Sequence, residues 1–220
     1  MWIKICGVTS VDDATMIAQA GADAIGLNFY AKSSRYIAPE TARIIRDAVA
    51  DRVGVVGVFV NSSADEVATI AQQVGLNTVQ FHGDEPADVI AEFHCLCPDV
   101  GIVRAFRVGS EGIASLQQSL RELIAIGIPL TAILVDALVA GEYGGTGRQV
   151  NPEWLHGRPE TWPPMILAGG LTPATVSAAI QSVRPWGVDT ASGVEQSPGV
   201  KDADKVQQFI RAVCDSPNRP

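Results

Sequence analysis

Between Pro164 and Glu195 the chain makes the same move twice. Met165 to Ala168 is a short apolar run that ends in Gly169-Gly170, and Trp186 to Asp189 is another that ends in Thr190-Ala191-Ser192-Gly193. Thr172-Pro173 offers a helix N-cap with proline in the first turn, and Ala174, Val176, Ala179, Ile180 and Val183 then recur at helical spacing. Strand, turn, helix, strand, turn puts both glycine turns on the same edge of a parallel sheet. Backbone N–H groups can approach a ligand at such turns, and a helix N-terminus adds partial positive charge, so two neighbouring turns make a cup for a phosphate. A single glycine turn more often just closes a tight connection; the pairing is what points to an anion.

The same alternation runs along the whole chain. Trp2 to Cys6, Ala22 to Phe29, Arg52 to Val60, Asn77 to Phe81, Gly101 to Val108 and Leu130 to Asp136 read as six earlier strands. Arg52 to Val60 is almost unbroken in its apolar character, as a sheet buried on both faces requires. Helices are predicted from a capping box at Ser10-x-x-Asp13 to Ala20, over Pro39 to Val49, from Asn61-Ser63 to Val74, over Pro86 to His94, Ile113 to Ile126, Asn151 to Gly157 and Asp202 to Val213. Gly21, Gly75 and Gly127 each close a helix before a strand at nearly equal intervals. Eight strand-helix pairs without a break in composition predict an α/β fold, a single-domain (β/α)8 TIM barrel over residues 1–215 with a polar tail from Ser216 to Pro220. An open doubly wound sheet is the alternative.

With 47% hydrophobic and 18% charged residues in 220, a full core is within reach. The formal charge of −8 and the lack of any Lys/Arg run argue against nucleic acid and anionic membranes as partners. An acidic protein that binds phosphate must do so with amides and a few placed cations. No signal-peptide pattern and no apolar run of the roughly 18 residues a membrane helix needs are present, so a cytoplasmic protein is expected. Cys95-Leu96-Cys97 beside His94 lacks the spacing of common zinc knuckles and has no second pair; no metal is expected.

In a barrel of this kind the C-terminal ends of the strands form the mouth. Cys6 ends the first strand and Asp136 the sixth. A small buried thiol packs as often as it reacts. A carboxylate closing the run Ala132-Ile133-Leu134-Val135 is harder to explain by packing, because burying it is costly unless it is paired. Asp189 ends the eighth strand beside the cup. Lys4 alternates with Cys6, so it too points inward, where an ion pair with a strand-end aspartate is the expected answer. Arg35 lies in the loop after the second strand, able to aim its fork at a carboxylate or to stand in solvent. His82 follows the fourth strand and is as readily structural as a ligand contact. The loop from Ala137 to Val150 with Gly144-Gly145-Thr146-Gly147 is a lid or a plain linker.

Lys4-Ile5-Cys6-Gly7-Val8-Thr9, Gly21-Ala22-Asp23-Ala24-Ile25-Gly26, Val56-Gly57-Val58-Phe59-Val60-Asn61, Val79-Gln80-Phe81-His82-Gly83-Asp84-Glu85, Leu134-Val135-Asp136, Gly144-Gly145-Thr146-Gly147, Leu167-Ala168-Gly169-Gly170-Leu171 and Val188-Asp189-Thr190-Ala191-Ser192-Gly193-Val194-Glu195 follow one another in that order. Together they resemble the phosphoribosylanthranilate isomerase family of tryptophan biosynthesis, over essentially the whole chain. The resemblance implies a (β/α)8 barrel that converts N-(5-phosphoribosyl)anthranilate to 1-(2-carboxyphenylamino)-1-deoxyribulose 5-phosphate by an Amadori rearrangement, with no cofactor. It implies Cys6 as general base and Asp136 as general acid, Arg35 on the anthranilate carboxylate and Asp189 near the sugar hydroxyls; His82, at the mouth after the fourth strand, is expected as a substrate contact. Phosphate contacts are implied at Gly169, Gly170, Ala191, Ser192 and Gly193. Ser33-Ser34 stands before Arg35 where a proline is common, and Thr190-Ala191 follows Asp189 where Val-Ser is usual, which leaves the backbone amides intact. Gln149-Val150-Asn151-Pro152 is atypical and carries no role. The chemistry needs a neutral acid and a charged base at one pH, and Lys4 is the cation expected to lower the Cys6 thiol. The related histidine-pathway aminoaldose isomerase, which favours an aspartate in place of Cys6 and needs a second phosphate site, and a catalytically silent phosphosugar-binding barrel are the alternatives. Oligomeric state is not legible.

Overall fold

The computed structural model describes residues 1–110, 112–137, 151–155 and 157–217. Eight parallel strands, β1 (Trp2–Cys6), β2 (Ala24–Asn28), β3 (Gly54–Phe59), β4 (Thr78–Phe81), β5 (Gly101–Val108), β6 (Ala132–Ala137), β7 (Met165–Leu167) and β8 (Gly187–Thr190), pair in sequence order and close on themselves, β8 against β1. Lys4 is opposite Ala24 on one side and Asp189 on the other. The open-sheet alternative is thereby excluded, since an open sheet leaves two edges unpaired.

Helices α1 (Val11–Ala20), α2 (Pro39–Val49), α3 (Ala64–Val74), α4 (Ala87–Leu96), α5 (Ala114–Ala125), α6 (Val176–Val183) and α7 (Ala203–Cys214) surround the barrel. Their apolar stripes are those expected: α2 buries Ala42, Ile45 and Val49, and α7 buries Val206, Phe209, Ile210 and Val213. Gly21, at φ 94°, ends α1 in the left-handed conformation that a Cβ disfavours. None of the helices among the described residues is long and apolar enough to cross a membrane.

Four expectations are corrected. Among the described residues of the predicted helix Asn151 to Gly157, Pro152–Leu155 form a 3₁₀ turn and not an α-helix. Helix α6 begins at Val176: the Thr172 hydroxyl lies 3.1 Å from the Thr175 hydroxyl and makes no N-cap bond, and Thr172 to Thr175 forms a turn ahead of the helix. At α1 only half of the capping box exists. Ser10 Oγ accepts from the Asp13 amide at 3.1 Å, but the Asp13 carboxylate is engaged by the Lys201 amide at 3.1 Å. Ser216 is buried rather than part of a solvated tail, and its amide donates to the Val213 carbonyl at 3.3 Å. Gly144-Gly145-Thr146-Gly147 and Gln149-Val150 lie outside the described residues.

Strand residues alternate between two cores. Outward side chains such as Ile3, Ile5, Ile25, Leu27, Phe59, Phe81 and Ile133 pack under the helices. Inward ones form a small plug of Val103, Ala105, Ala132, Leu134, Ile166 and Ala168, with Trp2 against it. Above that plug the inward positions become polar: Lys4 and Cys6 on β1, Gln80 on β4, Asp136 on β6 and Asp189 on β8. Apolar packing thus fills the floor and leaves the C-terminal ends of the strands for polar groups.

Two further strands, β9 (Glu195–Ser197) and β10 (Val200–Lys201), stand outside the barrel as an antiparallel hairpin between β8 and α7. Nothing in the apolar pattern of this polar stretch announces it.

Candidate active site

A pocket opens at the C-terminal ends of the strands, with an enclosed volume of about 90 Å³ that continues into an open mouth. Cys6, Arg35, His82, Asp136, Gly169, Gly170, Asp189, Ala191 and Ser192 all line it. Residues at opposite ends of the chain are thus brought to one cavity.

Cys6 fits because its neighbour on β2 has no side chain: a Cβ at Gly26 would lie 2.6 Å from Cys6 Sγ. Beside it Lys4 Nζ is 2.9 Å from Asp189 Oδ1, the expected ion pair inside the barrel. Burial works against the charge on Lys4, but Asp189 and Cys6 outweigh it and the ammonium is held more firmly than in water. For Cys6 the balance falls the other way from expectation. Burial pushes the thiol up; Lys4 and Lys201 pull it down, Asp189 pushes it up further, and the net direction is upward. The cation is where the sequence puts it, but desolvation exceeds its effect.

Across the pocket His82 Nε2 is 3.7 Å from Asp136 Oδ2, and His82 Nδ1 meets Gln80 Nε2 at 2.6 Å. His82 Nδ1 thus pairs with the Gln80 side-chain amide, and Nε2 faces the carboxylate. His82 therefore stands between a structural partner, Gln80, and the Asp136 carboxylate. Glu85 fixes the loop that bears it, its Oε1 accepting from the Asn61 amide at 2.7 Å and the Gly83 amide at 3.2 Å, while Oε2 accepts from Arg104 at 2.6 Å.

The two glycine turns touch. Thr190 Oγ1 donates to the Leu171 carbonyl at 2.7 Å, and a Cβ on Gly193 would sit 1.8 Å from that same oxygen. Gly169 and Gly170 have φ of 89° and 58°, and their amides donate to no acceptor among the described residues. Ser192 and Gly193 open a 3₁₀ turn, Ser192–Val194, whose first N–H groups have no partner within the turn. Gly193 itself is not part of the pocket wall; its lack of a side chain is what lets the second turn close against the first.

Arg35 lies over Gly7, where a Cβ would be 2.3 Å from its Cδ. Its fork is aimed at a carboxylate, but one of the protein's own: Nε and Nη2 donate to Glu195 Oε1 and Oε2, each at 2.8 Å. That pair uses two of the five guanidinium N–H groups.

The model of the family described as N-(5'-phosphoribosyl)anthranilate (PRA) isomerase matches residues 3–212. The chain belongs to that family. It is 44% identical over 211 residues to the N-(5'-phosphoribosyl)anthranilate isomerase of Stutzerimonas stutzeri, covering 96% of this chain and 95% of that protein. The corresponding protein of Thermotoga neapolitana is 41% identical over 209 residues, at 95% and 96% coverage. Among solved structures, the phosphoribosyl anthranilate isomerase of Thermotoga maritima superposes with a TM-score of 0.84 at 34% identity, covering 97% of this chain and 98% of that one. A phosphoribosyl anthranilate isomerase in complex with reduced 1-(o-carboxyphenylamino)-1-deoxyribulose 5-phosphate superposes at 0.76 with 33% identity, at the same coverage of 97% and 98%.

Against the family pattern, three residues of this site carry a signal that sequence reasoning passed over. Glu195 and Lys201 are fully engaged beside Arg35 and Cys6, and Gly26 makes room for the thiol. Glu195 and Gly26 stand inside the motifs quoted above and Lys201 follows Pro198-Gly199, so position in a motif was the available clue. Among the described residues no group of His, Cys, Asp and Glu has metal-binding geometry.

Proposed function

We propose that this pocket isomerises N-(5-phosphoribosyl)anthranilate to 1-(2-carboxyphenylamino)-1-deoxyribulose 5-phosphate, with Asp136 as general acid and Cys6 as general base. The observation that carries the reading is the gathering of Cys6, Asp136 and both glycine turns around one cavity in a chain of this family. Asp136 gives a proton to the furanose ring oxygen, and the ring opens to a Schiff base. Cys6, as thiolate, then takes the proton from C2 of the sugar, and the enolamine that results tautomerises to the ketose. A thiol pushed up by burial is ionised in a small fraction, yet each thiolate is the stronger base for it.

The phosphate is held by the amides of Gly169, Gly170, Ala191 and Ser192, with Gly193 letting the second turn close on the first, which suits an acidic protein because amides recruit an anion without net positive charge. Arg35 offers its remaining N–H groups to the anthranilate carboxylate, and Asp189, fixed by Lys4, meets the sugar hydroxyls. His82 turns its Nε2 toward the same space, beside Asp136. The ligand is a small phosphosugar. Mixing the purified protein with freshly made phosphoribosylanthranilate and following the decay of its fluorescence tests the reading: protein-dependent decay is expected, and unchanged fluorescence at micromolar protein rejects it.

A further inference from the structure

Glu195 and Lys201 face each other across the hairpin and bury two opposite charges where apolar residues of equal volume pack as well or better. What charge adds there is fixed geometry. All three N–H bonds of Lys201 are used: Nζ donates to the Cys6 carbonyl at 2.6 Å, to Glu195 Oε1 at 2.8 Å and to the Ala191 carbonyl at 3.3 Å. Glu195 Oε1 accepts in addition from Arg35 Nε at 2.8 Å and the Gly199 amide at 3.3 Å, while Oε2 accepts from Arg35 Nη2 at 2.8 Å. The hairpin is pinned in turn to the start of the barrel, Thr9 Oγ1 donating to the Gly199 carbonyl at 2.6 Å and the Lys201 amide to Asp13 at 3.1 Å.

We infer that Glu195 and Lys201 are positioning residues for the reaction: Lys201 ties the turn bearing Cys6 to the turn bearing Ala191 and holds a cation beside the thiol, while Glu195 braces Arg35. This rests on the reading of Cys6 as base and Arg35 as carboxylate receptor. The charged and titratable groups facing Cys6 are Lys4 on its own strand, Asp189 on β8, Arg35 after β2, and Lys201 with Glu195 on the hairpin; His82 and Asp136 stand across the pocket. Of these, Lys4 and Lys201 favour the thiolate and Asp189 opposes it.

The test is kinetic, with purified full-length Lys201→Met, Lys201→Arg and Glu195→Gln beside the unaltered protein, each checked for folding by circular dichroism. Substrate titrations are common to all four and cancel on comparison. Removing the cation disfavours the thiolate, so in Lys201→Met the acid limb of kcat/KM moves up by about half a pH unit or more, and in Lys201→Arg it stays with the unaltered protein. In Glu195→Gln, KM rises about ten-fold with kcat changed far less, because Arg35 has lost its brace. Equal losses in kcat and kcat/KM with an unmoved limb belong to a merely structural hairpin and overturn the inference while the functional reading stands. No turnover by the unaltered protein overturns both. If Lys201→Met does not fold, the Glu195→Gln arm decides: a kcat loss without a rise in KM sinks the clamp.

Discussion

Lys4 and Asp189 meet inside the barrel at 2.9 Å, their side chains 1% and 8% exposed. Neither charge is supportable there alone. Lys4→Met is expected to lower the unfolding free energy by about 3–5 kcal/mol, because it strands the aspartate rather than because the pair is strongly stabilising. Urea denaturation measures it. A loss below about 1 kcal/mol would mean that water already reaches the pair.

Cys6→Ser and Asp136→Asn each remove one of the proposed proton-transfer groups and little volume. Both are expected to lower kcat by about 10²-fold or more with the cooperative thermal transition retained. Near-normal turnover in either purified variant removes that residue from its role.

The direction of the Cys6 thiol can be read directly. Burial raises it above its ordinary value of 9.0 despite Lys4 and Lys201. Alkylation by iodoacetamide, followed peptide by peptide because Cys95 and Cys214 are exposed, should therefore be slow at neutral pH and rise along a curve displaced to higher pH than that of a free thiol. A curve displaced to lower pH shows that the cations outweigh desolvation.

Arg35→Ala is expected to raise KM chiefly, since its proposed contact is with the substrate carboxylate and it moves no proton itself. It also releases Glu195, whose carboxyl is held below its usual range by Arg35 and Lys201 against the opposing effect of burial. Initial rates over a range of substrate concentration decide the matter: collapsed kcat with unchanged KM means that the arginine has been misplaced.

Gly193→Ala forces a Cβ to within 1.8 Å of the Leu171 carbonyl unless one turn moves. Separation of the two turns is expected to cost about 1–3 kcal/mol of stability and to raise KM and the inhibition constant of inorganic phosphate together. A stability loss with unaltered phosphate inhibition would detach Gly193 from the cup.

The barrel was legible because burial on both faces writes long apolar runs such as Val55 to Val60, and because the strand ends carry their polar residues where the mouth must be. Lys4 could be paired with a strand-end aspartate on charge alone. What could not be read depends on competition between neighbours. Thr172 has the right side chain for a cap but Thr175 engages it, and Asp13 is claimed by an amide 188 residues away. The sign of the Cys6 shift needs the balance of burial against two cations, and one of those cations comes from a hairpin that leaves no apolar trace. The fork of Arg35 was expected on a ligand carboxylate; that the protein supplies one of its own at Glu195 is a fact of three dimensions.

The bond from Lys201 to the Cys6 carbonyl joins positions 195 residues apart. During synthesis, then, the proposed base is made 195 residues ahead of the lysine that completes its surroundings. No truncated product ending ahead of Lys201 can hold this cavity as described, and partial activity from an N-terminal fragment is not to be expected unless the missing piece is supplied in trans.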